Sequence, residues 1–124
     1  MAQICSDAYK KTIFSQIMSL VSRYDFQKCV DRYKGDRHAK TLTCIDQFKI
    51  MSFAQFTDRS SLRDIEMTLE FCGNGLYHAG LRTVSKSTLA EANEKRNWMI
   101  YRDFAQILIK WAKELYHEEI FLFI

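Results

Sequence analysis

The chain has 124 residues, 48% of them hydrophobic and 27% charged, which suits one compact domain and excludes wholesale disorder. It contains no proline and four glycines, three of them between Gly73 and Gly80. That excludes collagen-like, proline-rich and mucin-like chains and disfavours a turn-dense sandwich or barrel. The net charge of +3 is uneven, with +4 on residues 1–60 and −1 on residues 61–124.

Residues 1–11 read as an N-terminal extension, and 12–117 as one helical domain. Lys10-Lys11 precedes apolar Ile13–Val21, but Ser15, Gln16 and Ser19 interrupt the run, so it is no signal sequence. No apolar stretch approaches the ~20 residues that span a bilayer. Ile13, Phe14, Ile17, Met18, Leu20 and Val21 share one helix face. A second helix, about Asp25–Lys34, gathers Phe26, Cys29, Val30 and Tyr33, with Asp25 as the expected N-cap and Gly35 as a left-handed stop. Arg23–Lys40 is the densest basic stretch, and Gly35–Thr43 within it reads as a loop carrying Arg37 and Lys40 next to Lys34. Such a mixed run is commonly a solvated face, and it could also touch phosphates.

Thr43 and Asp46 resemble a capping box for a helix to about Phe56, which is apolar around its circumference and so belongs inside a bundle. Ser61 and Asp64 start the next helix, whose Leu62, Ile65, Leu69 and Cys72 form a narrow core stripe. Gly73-Asn74-Gly75 ends it, and Leu76–Val84 connects it to a helix that starts at Ser85–Thr88 and runs to about Asn97. The last helix, about Trp98–His117, carries an apolar band over half its circumference, suited either to the middle of its own bundle or to an interface. Ile120–Ile124 is an apolar tail and an association hazard. The expected fold is all-α, a compact bundle of about six helices with a helix-turn-helix-like pair.

Cys5, Cys29, Cys44 and Cys72 make no Cys-x-x-Cys pair, and the three histidines are scattered, so no zinc site is expected. Cys29, Cys44 and Cys72 fall on apolar stripes, where a free thiol packs as a small hydrophobe, and this suggests a reducing cytoplasm.

Chemistry concentrates on the pair Ser61–Cys72 and Lys86–Asn97. The second helix of a helix-turn-helix presents its first turn to the major groove, where N–H groups and hydroxyls meet phosphates and base edges. Ser87, Thr88, Glu91 and Lys95 face away from the expected core side, and Arg59, Arg82 and Lys86 lie near helix starts where they could pair with phosphates. Against this, a Ser-rich start is commonly only a cap, Glu91 repels phosphate, and the connector is longer than the motif's 3–4-residue turn.

Several stretches occur in order: Thr12-Ile13-Phe14-Ser15-Gln16, Phe26-Gln27-Lys28-Cys29-Val30, Met51-Ser52-Phe53-Ala54-Gln55-Phe56, Arg59 to Ile65, Leu76 to Gly80, and Ser85 to Asn93. This series resembles the N-terminal domain, a domain of unknown function, of bacterial insertion-sequence transposases of the IS-four type. The resemblance implies a helical domain that helps recognise double-stranded DNA at the element's terminal inverted repeats. It also implies that cutting and strand transfer belong to a following RNase-H-like domain, whose Asp, Asp and Glu hold two divalent metal ions. The chain departs from the pattern at residues 118–124, so it is expected to be a truncated product with no cofactor and no activity of its own. Neither Asp103 nor Glu119 is expected to be catalytic. Two other roles stay open: a protein-interaction module that docks on the transposase core or on itself through Trp98–Tyr116, and a free-standing helix-turn-helix regulator.

Overall fold

The computed structural model describes residues 8–117, with side chains from Ile13 onward. Among these residues there are seven α-helices and no strand: α1 (Ala8–Ser19), α2 (Arg23–Arg32), α3 (Cys44–Phe56), α4 (Leu62–Cys72), α5 (Gly75–Ala79), α6 (Lys86–Lys95) and α7 (Met99–Leu115). The all-α expectation holds. The additional helix is α5, five residues inside the expected connector, too short for an apolar period to reveal it. The expected extension before residue 8 and the tail 118–124 lie outside the described residues.

Helix starts follow side-chain chemistry. Thr43 and Asp46 form the reciprocal capping box of α3, and the Ser61 and Ser85 hydroxyls accept from the Asp64 and Thr88 N–H groups at α4 and α6. At α2 the cap is Ser22, which accepts from the Asp25 N–H, so Asp25 is the third helical residue and not the cap. Either residue type can cap; the extended backbone of Ser22 decides between them.

The α2 stop also differs from expectation. Lys34, with φ 53°, takes the left-handed position, while the Gly35 N–H reaches back to the Val30 carbonyl at 2.9 Å and the Lys34 N–H to Asp31 at 3.2 Å. This is a Schellman closure with lysine where glycine is usual. Gly35 is needed for space: a Cβ there would lie 2.6 Å from Ile100 Cδ1 and 2.8 Å from Cys44 Sγ. Gly35→Ala is therefore expected to destabilise by ~1–3 kcal/mol through overpacking. Thermal denaturation checks this, and an unchanged midpoint would contradict the packing described.

Two buried clusters flank α3. Its Ile50, Phe53 and Ala54 join Phe14, Ile65, Leu69, Leu76, Leu89 and Ala92 in the first. Its Cys44, with half-buried Ile45 and Phe48, joins Phe26, Val30, Ile100 and Phe104 of α2 and α7 in the second. There the Phe26 ring lies 5.1 Å from Phe104 and 5.3 Å from Phe48. The helix expected to be apolar all round is thus central, although Met51 and Phe56 stay exposed. The α4 stripe is buried as expected at Ile65, Leu69 and Cys72, and α4 packs on α6.

Cys29 and Cys44 are buried free thiols. Burial, followed by a hydrogen bond with Asp36, pushes the Cys44 thiol up to about 11, so it is inert at neutral pH. Cys72 is disulfide-bonded, which corrects the expectation of a free thiol. A stripe position tells where a sulfur sits and not whether it is oxidised.

On α7 only Ile100 and Phe104 are fully buried, while Ile109, Leu115 and the C-cap Tyr116 are exposed. The broad band is therefore not that of a central helix. No helix among the described residues is long and apolar enough to cross a membrane.

Candidate nucleic-acid interface

The loop after α2 and one face of α6, far apart in sequence, face each other across an open groove of about 710 Å³. One wall holds Tyr33, Lys34, His38 and Lys40; the other holds Thr88, Glu91 and Lys95, with Arg96 and Asn97 at the α6–α7 junction. Five residues singled out in two separate stretches of sequence, Lys34, Lys40, Thr88, Glu91 and Lys95, are thereby brought to one place. Glu91 is the single acid among the lining residues. It pairs with Lys95 at 2.8 Å, both side chains being well exposed. That hydrogen bond lowers the Glu91 carboxyl and raises the Lys95 ammonium from their ordinary values. Arg37 is exposed in the same loop but does not line the groove.

The remaining expected residues lie elsewhere. Arg59 is mostly buried; its Nε and Nη2 donate to the Thr57 carbonyl at 3.0 and 2.7 Å, and Nη1 lies 3.6 Å from Asp64. Arg82 donates to Asp46 at 2.7 Å. Both arginines thus neutralise an aspartate in the first turn of a helix and are engaged within the chain. Lys86 and Ser87 are exposed at the start of α6, where the Lys86 N–H already donates to the Glu66 carboxylate at 2.5 Å. A carboxylate and the Ser85 hydroxyl therefore occupy the helix start that was expected to meet phosphate. The groove uses Thr88 at the end of the first turn and the later turns of α6 instead.

Sequence reading missed what holds the two walls together. Gln47 is buried on α3; its Nε2 donates to Asn93 Oδ1 at 2.6 Å, and its Oε1 accepts from Tyr101 Oη at 2.5 Å and Arg96 Nη1 at 3.1 Å. Arg96 also donates to the Leu42 carbonyl at the end of the basic loop. One buried amide thus ties the loop, α3, α6 and α7. Desolvation pushes the Tyr101 hydroxyl well above its ordinary range, so it stays a donor. A lone Gln in an apolar helix carries no signal of this role.

Beside the groove, Asp103 accepts from Tyr33 Oη at 2.6 Å, Arg32 Nη1 at 2.7 Å and Arg102 Nη2 at 2.9 Å. Hydrogen bonds from Tyr33 and then Arg102 hold its carboxyl below the usual carboxylate range. At Asp46, burial pushes the carboxyl up, but hydrogen bonds from Arg82 and Thr43 outweigh it, and the group also ends low. A carboxyl lowered on folding stabilises fully above its unfolded value and loses that contribution as pH falls through the folded one. The urea midpoint is therefore expected to be flat from pH 7 to about 5 and to drop below about pH 4. Asp103→Asn should lower stability at pH 7 and make the acid drop shallower; an unchanged acid limb would contradict the assignment.

No group of His, Cys, Asp and Glu suited to a metal ion occurs among the described residues. A family model described as a domain of unknown function (DUF4372) matches residues 9–82. No curated protein and no solved structure matches the chain.

Proposed function

The chain belongs to the DUF4372 family, a domain of unknown function, and from that premise we propose that it is the DNA-binding N-terminal domain of an insertion-sequence transposase of the IS-four type. It recognises the element's terminal inverted repeats and leaves cleavage to a separate catalytic domain. The observation that carries the reading is the groove, in which Lys34 and Lys40 of one wall face Lys95 of the other. Cations on two walls suit the phosphates of a duplex strand, and the exposed side chains of α6 beside them suit base edges. Lys34 adds support, since a lysine at a left-handed position that favours glycine costs about 1 kcal/mol, and such strain collects at functional sites. The residue blocks that resemble the transposase domain include Ser85–Asn93, which supplies most of the α6 wall.

A titration of the full chain against labelled duplexes tests this. The element's inverted repeat is expected to bind at least a hundredfold more tightly than a scrambled duplex. Equal affinities would sink specific recognition. A second reading rests on the end of α7, where exposed Ile109 and Leu115 and the C-cap Tyr116 favour docking on another protein surface. Concentration-dependent association without duplex affinity would favour it.

A further inference from the structure

Beside the groove, and sharing Tyr33 with it, lies the densest unassigned cluster, Arg32, Tyr33, Arg102 and Asp103, where the end of α2 meets the first turns of α7. The Asp103 carboxylate is largely enclosed, with 11% of its side chain exposed, whereas Arg32 and Arg102 are 58% and 41% exposed. Asp103 Oδ2 takes Arg32 Nη1 and Tyr33 Oη, while Oδ1 takes Arg102 Nε at 3.0 Å and Nη2 at 2.9 Å. Two guanidinium groups thus share one carboxylate and leave a net charge of +1 on two partly exposed side chains. Arg102 is further fixed over the exposed Trp98 ring, 5.1 Å from its centroid. Tyr33 belongs to both, lining the groove and donating its hydroxyl to Asp103, so the cluster adjoins the groove without a gap in sequence before Lys34.

We propose that Arg32 and Arg102 form a second phosphodiester-binding site, continuous with the basic groove, in which Asp103 is the positioning residue that aims both guanidinium groups at the duplex backbone. This rests on the DNA-binding reading above. A surface ion pair alone needs one cation for one carboxylate; here the second arginine is in excess. A guanidinium held at one edge by a carboxylate still has free N–H groups to offer a phosphate, as a planar fork with five donors.

Salt-dependent titration of the full chain against the inverted-repeat duplex separates the outcomes. Arg32→Gln with Arg102→Gln is expected to weaken binding about ten- to sixtyfold at 0.1 M salt, and to lower the slope of log K against log salt by about 1.8. Asp103→Asn gives a test of sign. Removing a negative charge would tighten DNA binding if charge alone mattered; positioning predicts weaker binding. Arg32→Lys with Arg102→Lys keeps both charges and should weaken binding with little change of slope, a readout that holds even if Asp103→Asn proves too unstable. Tighter binding by Asp103→Asn, or an unchanged slope in the double Gln variant, overturns the proposal. If Lys34→Gln, Lys40→Gln and Lys95→Gln weaken binding while the arginine variants do not, this second site fails alone. If the unmodified chain shows no salt-dependent binding, it fails together with the groove.

Discussion

Replacing Lys34, Lys40 and Lys95 together by glutamine is expected to weaken duplex binding by roughly two to three orders of magnitude at 0.1 M salt. Each phosphate neutralised by a protein cation contributes about 0.9 to the slope of log K against log salt, so that slope should fall by about 2.7. The three side chains are exposed and line one groove from opposite walls, so their removal touches neither buried cluster. The melting temperature should therefore stay nearly unchanged. Lys34 sharpens the test, because it alone of the three lysines sits in a left-handed conformation. Lys34→Gly should stabilise the domain by about 0.5–1 kcal/mol, since glycine adopts φ 53° without penalty, while still weakening DNA binding. Anisotropy titrations over a salt series, paired with thermal melts, check both. A triple variant that binds as the unmodified chain does would remove the groove from the account.

Gln47→Leu is expected to destabilise the domain by ~2–4 kcal/mol, a large share of the ~5–15 kcal/mol that holds a domain folded. The substitution fits the space but leaves the Asn93 Oδ1, the Tyr101 hydroxyl and Arg96 Nη1 without the partner they share. Buried polar groups that lose a partner bear their full desolvation penalty, whereas a matched apolar pair would not. The melting point should fall on the order of 10 °C. Gln27→Leu is the control: Gln27 makes one exposed hydrogen bond, to Asp31, and its loss should stay within about 0.5 kcal/mol. Equal effects in urea denaturation would show that the amide of Gln47 does not join the helices.

Much of this architecture was legible because short-range chemistry and the apolar period agree. Thr43 with Asp46, Ser61 with Asp64, and Ser85 each start a helix where the hydroxyl predicts it. The spacing of Ile65, Leu69 and Cys72 marks the buried face of α4, and an all-round apolar α3 lies between two cores. Helix ends were less legible. Lys34 and Asp58 take left-handed conformations with φ 53° and 59°, and the N–H groups of Gly35 and Arg59 close the turns back to Val30 and Ala54. Neither residue type announces that position, which glycine usually fills. The candidate site was legible in its parts and not as a whole. Composition marked the loop cations, and helical spacing marked Thr88, Glu91 and Lys95. Their meeting depends on Gln47 and Arg96, whose roles arise only when four segments converge. Arg59 and Arg82 show the converse, since cations that read as free for phosphate are engaged by aspartates at helix starts.

In the proposed complex the loop after α2 and the outer face of α6 together hold duplex DNA. Amide chemical-shift mapping of the chain, titrated with the inverted-repeat duplex, tests this arrangement most directly. Perturbations are expected to concentrate at residues 32–41 and 87–97, with the first turns of α7 joining them. Perturbations confined to the exposed end of α7, around residues 109–116, with none in the groove, would contradict it.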